Sequence, residues 1–331
     1  MEGRLGPAKG KSFDGGNVLG PWIVTPFMRE DAPGNLCLQN ASRDVTILLQ
    51  EDKSRYVAAS ETREATLSEE ALVTRDERGN ISVLTMVYRP YNLLGPKFLN
   101  AIVQQVEAAQ KAGSRAIVIR SGLRHFSAGA DLDIFETQVA ADDAERSGAN
   151  MRRTNVDFLR FMELLPVPLI ASIHGVCLGG GLELALSCDY IIAASSAKIG
   201  SVEATLGLHP LLGGIQRQVQ RIGAQRAKEM SMLARRYDAP TLEKWGLINL
   251  TVPEESLEAA TMAIAEEFAQ GPTVAHAATK ELAYIAVNEG VAAADEAMAR
   301  VQAPIWASED LKTGLASYRK NGPGLAKFAG R

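Results

Sequence analysis

The chain has 331 residues, 46% hydrophobic and 22% charged, which suits a folded protein with one large core or two modest ones. Thirty-five Lys and Arg against 39 Asp and Glu leave a net charge of −4 with no dense basic tract, so nucleic acid is not an expected partner. No apolar run reaches the roughly 18–20 residues of a membrane helix, and the first twenty residues lack the apolar run of a secretory signal, so no membrane partner and a cytoplasmic address are expected.

Residues 1–78 hold Gly and Pro clusters and then a charged stretch from Glu51 to Glu70. Their weak periodicity predicts loops, marginal strands or partial disorder, an N-terminal extension. Regular structure begins with a β-rich run over 81–88, closed by Arg89-Pro90. Leu99, Ile102, Val103 and Val106 recur at helical spacing between Phe98 and Lys111, and Gly113 ends that helix. Residues 116–120 read as a buried strand. Residues 157–165 continue a helix that stops before Pro166 and Pro168. A strand over 169–173, a helix over 180–187 and a strand over 189–193 follow. Two helices, 214–222 and 225–233, precede a short strand over 247–252. From Glu254 onward the chain reads as almost wholly helical and alanine-rich. Short strands each followed by a helix argue an α/β fold. The resulting division is an extension over 1–78, a core over 79–270 and a helical region over 271–331 whose small apolar residues suit association. The three cysteines, Cys37, Cys177 and Cys188, are odd in number and lack metal-ligand spacing, which argues against disulfides and a zinc site.

The chemistry concentrates in two glycine-rich stretches. In Gly179-Gly180-Gly181-Leu182-Glu183 the glycines end a strand and start a helix, and a carboxylate rides on the first turn. The Gly180 N–H at that helix start is a candidate donor to a negative charge. The second stretch, Phe126-Ser127-Ala128-Gly129-Ala130-Asp131, follows a strand and a turn at Gly122; its small residues let a ligand approach the backbone. Glu203, twenty positions after Glu183, supplies a second carboxylate. Paired carboxylates beside free N–H donors equip a site for moving protons next to a developing anion. Plainer roles exist for each residue. Glu183 can serve the helix start, Glu203 can be a loop acid, and Asp131 reads as a cap for the segment after it. His125, His174, His209 and His276 share no spacing of a metal site. Ser127 and Ser201 lack any sign of an activating triad.

These pieces together resemble the crotonase superfamily of enoyl-CoA hydratases and isomerases. The matching segments, in order, are Arg89-Pro90-Tyr91-Asn92-Leu93-Leu94, Phe126 to Asp131, Pro168 to Gly175, Gly179 to Asp189, Glu203 with Gly207-Leu208-His209-Pro210, Gly213-Gly214-Ile215-Gln216-Arg217, and Gly314 to Tyr318 with Lys327-Phe328. The match runs from about residue 80 to the end. The resemblance implies a crotonase-type ββα spiral core and a helical C-terminal trimerisation region, hence a homotrimer or a hexamer built as a dimer of trimers. It implies an acyl-CoA thioester as substrate, with the thioester oxygen between the N–H groups of Ala130 and Gly180 and no metal or redox cofactor. Glu183 then acts as base on a water that attacks the β-carbon, and Glu203 as acid at the α-carbon. Asn92, Leu94, Ala128, Asp131, Leu132 and Leu211 fall at positions implied to line the substrate and CoA. A Δ3,Δ2-enoyl-CoA isomerase or a non-catalytic acyl-CoA-binding subunit stands as the alternative; retention of both glutamates favours hydration.

One departure stands out. Where family hydratases often carry a glycine whose N–H reaches the water, this chain has Leu211, which adds bulk beside the water site or the acyl pocket. A second, short resemblance lies at the N-terminus. Gly6-Pro7, Gly10-Lys11 to Gly15 and Gly20 to Thr25 are similar to a segment of the fumarylacetoacetate hydrolase family. The lysine at Lys11 is implied to assist catalysis there, but the family's metal-binding carboxylates have no counterpart in this sequence. The segment reads as a remnant without hydrolase activity or as chance similarity in a glycine-rich tract.

Overall fold

A computed structural model describes residues 71–140 and 157–331. Its first strand, β1 (Val73–Arg78), turns through Gly79 and runs antiparallel to β2 (Ile81–Met86), with Val73 opposite Met86 and Arg78 opposite Ile81. The boundary expected at residue 78 therefore cuts a hairpin, and β1 belongs to the core sheet. Only Val73 of β1 is buried. Its Arg, Asp and Glu side chains face solvent, as on a charged edge strand, and this composition hides the strand in the sequence. The remainder of the expected extension, Lys11 included, lies outside the described residues.

Helix α1 (Pro96–Lys111) buries Phe98, Leu99, Ile102, Val106 and Ala109, the stripe read from its spacing. Strand β3 (Ala116–Ser121) follows, then α2 (Asp133–Ala140) and a helix over residues 157–164, α3. The next stretch alternates two strands with one helix: β4 (Leu169–Ile173), β5 (Val176–Leu178), α4 (Gly180–Leu186), β6 (Tyr190–Ala194) and β7 (Lys198–Gly200). A 3₁₀ turn at Glu203–Leu206 leads to α5 (Gly214–Met232). That helix breaks at Gly223, where φ is +73° and ψ 161°, which accounts for the two helices read from the pattern. After it come β8 (Tyr237–Asp238), α6 (Ala239–Trp245) and β9 (Leu250–Val252). Helices α7 (Leu257–Gln270), α8 (Thr273–Asn288), α9 (Val291–Ala307) and α10 (Glu309–Asn321) finish the chain.

The strands form two sheets. One has the order β1-β2-β3-β4-β6-β9, parallel except for β1; the other is β5-β7-β8. From β4 to β7 successive strands alternate between the two sheets, the pattern of a ββα spiral. Strands β2, β3, β4 and β6 of the large sheet are covered on both faces and are apolar at both parities. Ile117 and Ile119 of β3 join the main core with Phe98, Leu159, Ile173 and Leu184. Ala116 and Val118 face the other way, against Leu257, Ala265 and Ala269 of α7. Helices α8 and α9 pack on each other through Ala278, Ile285, Ala294 and Val301. Two cations join the C-terminal helices to the core. Lys280 reaches Asp189 Oδ2 at 2.5 Å and the Val167 carbonyl at 3.1 Å. Arg115 donates to the carbonyls of Gly271 and Phe328. Among the described residues no helix is long and apolar enough to cross a membrane.

Candidate active site

The glycine turn before α4 is built by steric necessity. Gly179 has φ +50° and ψ −123°, a conformation that L side chains rarely adopt. A Cβ on Gly181 would stand 2.5 Å from Ser127 Cβ, so the helix start and the 126–131 loop approach as closely as backbones allow. That loop is stitched on both sides. Ser127 exchanges backbone bonds with Val176 and Leu178 of the β5 strand, while the Leu94 N–H donates to Gly129 O and the Asp131 N–H to Leu94 O. Ser127 Oγ donates to the Asn92 carbonyl at 2.7 Å and accepts from the Gly129 N–H at 3.2 Å, a structural use of the hydroxyl.

This stitching brings the two sequence-predicted donors together. Ala130 N lies 3.7 Å from the position a Gly180 Cβ would occupy. The N–H groups of Ala130 and Gly180 donate to no protein acceptor among the described residues. The side chains of Leu94 and Leu212 close over the same α-carbon, at 3.3 and 3.5 Å from that Cβ position.

Glu183 is 2% exposed and points from α4 into the turn before α5. Its Oε1 accepts from the Leu212 N–H at 2.8 Å and from the Gly214 N–H at 2.7 Å. Burial raises its pKa to about 8, with the Glu203 charge adding to the rise; the two N–H bonds and Arg217 act against it. Glu203 heads the 3₁₀ turn, with its Oε1 3.4 Å from the Cβ position of Gly179. Both of its carboxylate oxygens are inaccessible to solvent, and no other residue among the described ones hydrogen-bonds them. Burial raises its pKa as well, opposed by its own backbone and by His209. A dry carboxylate without donors favours its neutral, proton-bearing form.

Other residues frame this pair. Arg217 on α5 grips Glu163 of α3 with two parallel bonds of 2.7 and 2.6 Å and donates to the Gly213 carbonyl at 3.1 Å. Further along α5, Arg221 donates to the carbonyls of Leu186 and Cys188, at the C-terminal end of α4. Sequence reasoning singled out neither arginine's role, nor Leu212 and Gly214 as the groups that hold Glu183. The crowding of glycines at Gly213-Gly214 was the available signal.

The remaining predicted residues divide. Asn92 is fully buried with φ +52°, and its side chain is spent internally: Oδ1 accepts from the Tyr88 N–H, and Nδ2 donates to Ser121 Oγ and Phe126 O. Its carboxamide therefore builds the loop. Asp131 Oδ1 accepts from the Asp133 N–H at 3.3 Å, the capping role read for it. Ala128 is half-buried, with its N–H bonded to the Tyr91 carbonyl, and Leu132 is half exposed. Leu211 is half-buried in the turn before α5. His125, His174 and His209 each hydrogen-bond backbone groups. A separate groove of about 420 Å³, lined by Arg78, Asn80, Ile81 and Glu266 among others, shares no residue with the carboxylate site.

Two interleaved sheets, a helix start bearing free N–H groups and a buried carboxylate pair define a crotonase-fold α/β protein. The sequence pattern of the family described as enoyl-CoA hydratase/isomerase matches residues 76–324, and the chain belongs to that family. It is 32% identical over 245 residues to a probable enoyl-CoA hydratase of Bacillus subtilis, covering 72% of this chain and 92% of that protein. A probable enoyl-CoA hydratase of Rhizobium meliloti is 31% identical over 252 residues, covering 73% and 93%. The crystal structure of an enoyl-CoA hydratase from Bacillus anthracis superimposes with a TM-score of 0.68 at 28% identity, covering 78% of this chain and all of that one. The comparisons lend no support to the second resemblance, at the N-terminus, which lies outside the matched span.

Proposed function

We propose that this chain hydrates a 2-enoyl-CoA thioester to a 3-hydroxyacyl-CoA. The observation that carries the reading is the unequal holding of two buried carboxylates: Glu183 receives two N–H donors on one oxygen, and Glu203 receives none from another described residue. The fixed Glu183 is assigned as the base toward water and the loosely held Glu203 as the acid at the α-carbon. Burial makes Glu183 a stronger base once it is ionised.

The thioester oxygen sits between the N–H groups of Ala130 and Gly180, an oxyanion hole that meets the enolate charge without reorganising. Glu183 Oε2 takes a proton from water as its oxygen bonds to the β-carbon. The π electrons move onto the thioester as an enolate, and Glu203 returns a proton to the α-carbon. One H and one OH are added in total, and a proton passed from Glu183 to Glu203 restores the pair. These steps use no metal or redox cofactor. Leu94, Leu212, Leu132 and Leu211 border the acyl portion. A cytoplasmic homotrimer or a dimer of trimers fits the exposed Trp306, Leu315 and Tyr318 on α9 and α10, apolar surface of the kind that association covers.

The test follows loss of enoyl absorbance with crotonyl-CoA and longer 2-enoyl-CoAs. Glu183→Gln and Glu203→Gln each lower kcat by about 10²–10⁴-fold, the range of general acid–base catalysis. Isomerisation of a 3-enoyl-CoA without hydration of any chain length replaces this reading with an isomerase. Thioester binding without turnover, unaltered by Glu183→Gln, replaces it with a binding subunit.

A further inference from the structure

Among the described residues no other residue hydrogen-bonds the Glu203 carboxylate, so the backbone that carries it sets its place. That backbone is held at two neighbouring points. The Gly179 N–H donates to Gly200 O at 2.9 Å. One residue closer, Ser201 Oγ accepts from Gln218 Nε2 at 2.6 Å, and Gln218 Oε1 accepts from the Ser231 hydroxyl at 3.1 Å. Ser201 and Gln218 are wholly buried and Ser231 nearly so. A carboxamide in such a place is unfavourable unless its polar groups are paired, and a leucine of similar size would need no pairing. The core does not require a glutamine here; the segment before Glu203 is what the glutamine engages.

Position along the helix adds the second half of the argument. Gln218 lies about one turn beyond Gly214 on α5, and the Gly214 N–H is a donor to Glu183 Oε1. One turn of a single helix therefore touches both carboxylates, Glu183 directly and Glu203 through Ser201. Arg221 fastens the next turn of the same helix to the end of α4, the helix that bears Glu183.

We propose that Gln218 is a positioning residue of the reaction: it holds the Glu203 segment through Ser201 and so sets where the second carboxylate stands relative to the first. The proposal rests on the hydratase reading above. It assigns Gln218 an effect that runs through Glu203 alone, and a double-mutant cycle isolates that effect. Gln218→Leu, Glu203→Gln and the double variant are compared with the wild type in crotonyl-CoA hydration. The expected result is a fall of about tenfold or more in kcat for Gln218→Leu with KM within about twofold, and a further loss below about twofold when Glu203 is already Gln. Equal losses in the two backgrounds, or an undiminished kcat in Gln218→Leu, overturn the proposal. Ser201→Ala removes the same tether from its other end and takes the place of Gln218→Leu if that variant does not fold.

A wild type that hydrates nothing sinks the hydratase reading, and the tether is then read without turnover. Carboxyl-¹³C NMR titration follows Glu203 and Glu183 in the wild type and in Gln218→Leu, with Glu183 coupled to Glu203 and the His209 charge acting on it. A moved Glu203 curve in Gln218→Leu sustains the tether. An unmoved Glu203 curve overturns it.

Discussion

The α-carbon of Gly214 faces Glu183 so closely that a Cβ built there would stand 2.6 Å from Glu183 Cγ. The same residue donates its N–H to Glu183 Oε1 at 2.7 Å, so one glycine both admits the carboxylate and orients it. Gly214→Ala separates these roles, because alanine keeps the N–H and fills the space. Overpacking of this kind costs about 1–3 kcal/mol. A lowered Tm is expected, with kcat reduced at least about tenfold because the base is displaced while its donor remains. Steady-state hydration and thermal denaturation of the one variant check both effects.

The titration of Glu183 links stability to pH. Its pKa rises from an ordinary 4.5 to about 8 in the folded chain, so the folded state binds this proton more tightly than the unfolded state. The stabilisation is fully present below about 4.5 and is lost as pH rises toward 8, a change on the order of a few kcal/mol. Glu203, raised in the same direction, adds to the slope. Thermal denaturation between pH 5 and 8 is expected to show Tm falling with pH, and Glu183→Gln to flatten the trend. Activity runs the other way. The kcat/KM for hydration is expected to rise with pH through about 8 as the base loses its proton.

Arg217 stands behind that titration. It binds both Glu163 oxygens and the Gly213 carbonyl, and its charge lowers the Glu183 pKa. Arg217→Gln removes the cation, so the rise of kcat/KM moves to higher pH. At pH 7 the expected loss is about three- to tenfold, recovered in part at pH 9. Equal losses at pH 7 and 9 point instead to displacement of the turn. The pH–rate profile distinguishes the two.

Asn92 is expected to matter for folding before it matters for chemistry. Its side chain makes three bonds in a fully buried place, at a φ of +52° that asparagine tolerates better than alanine. Asn92→Ala leaves the Tyr88 N–H and the Phe126 carbonyl without this partner, at a cost of about 2–4 kcal/mol. Denaturant unfolding should show that loss in the midpoint. If stability is unchanged while KM rises, the residue faces the ligand after all.

Legibility in the sequence tracked the locality of each signal. The stripe of α1, the apolar β3 and β4, and the break near Gly223 are written within a few residues, and each formed close to its expected limits. Strand β1 was obscured because its charged residues suit solvent on an edge, and composition cannot tell that from coil. The strands β5, β7 and β8 are only two or three residues long and owe their pairing to a sheet assembled from distant segments. Leu212, next to Leu211, has the side chain that reaches the Gly180 α-carbon and the N–H that holds Glu183, a pairing across distant segments that no local pattern shows.

Sequence alone determined the α/β class, the family and the identity of the two candidate acids, because glycine spacing, apolar periodicity and the placing of Glu183 and Glu203 are properties of neighbouring residues. Only the tertiary structure decided how those acids differ. The donors to Glu183 come from a turn some thirty residues downstream, and the tether toward Glu203 comes from a buried glutamine on the helix that follows that turn. Burial and hydrogen bonding at a point are sums over segments far apart in the chain, so no local pattern carries them.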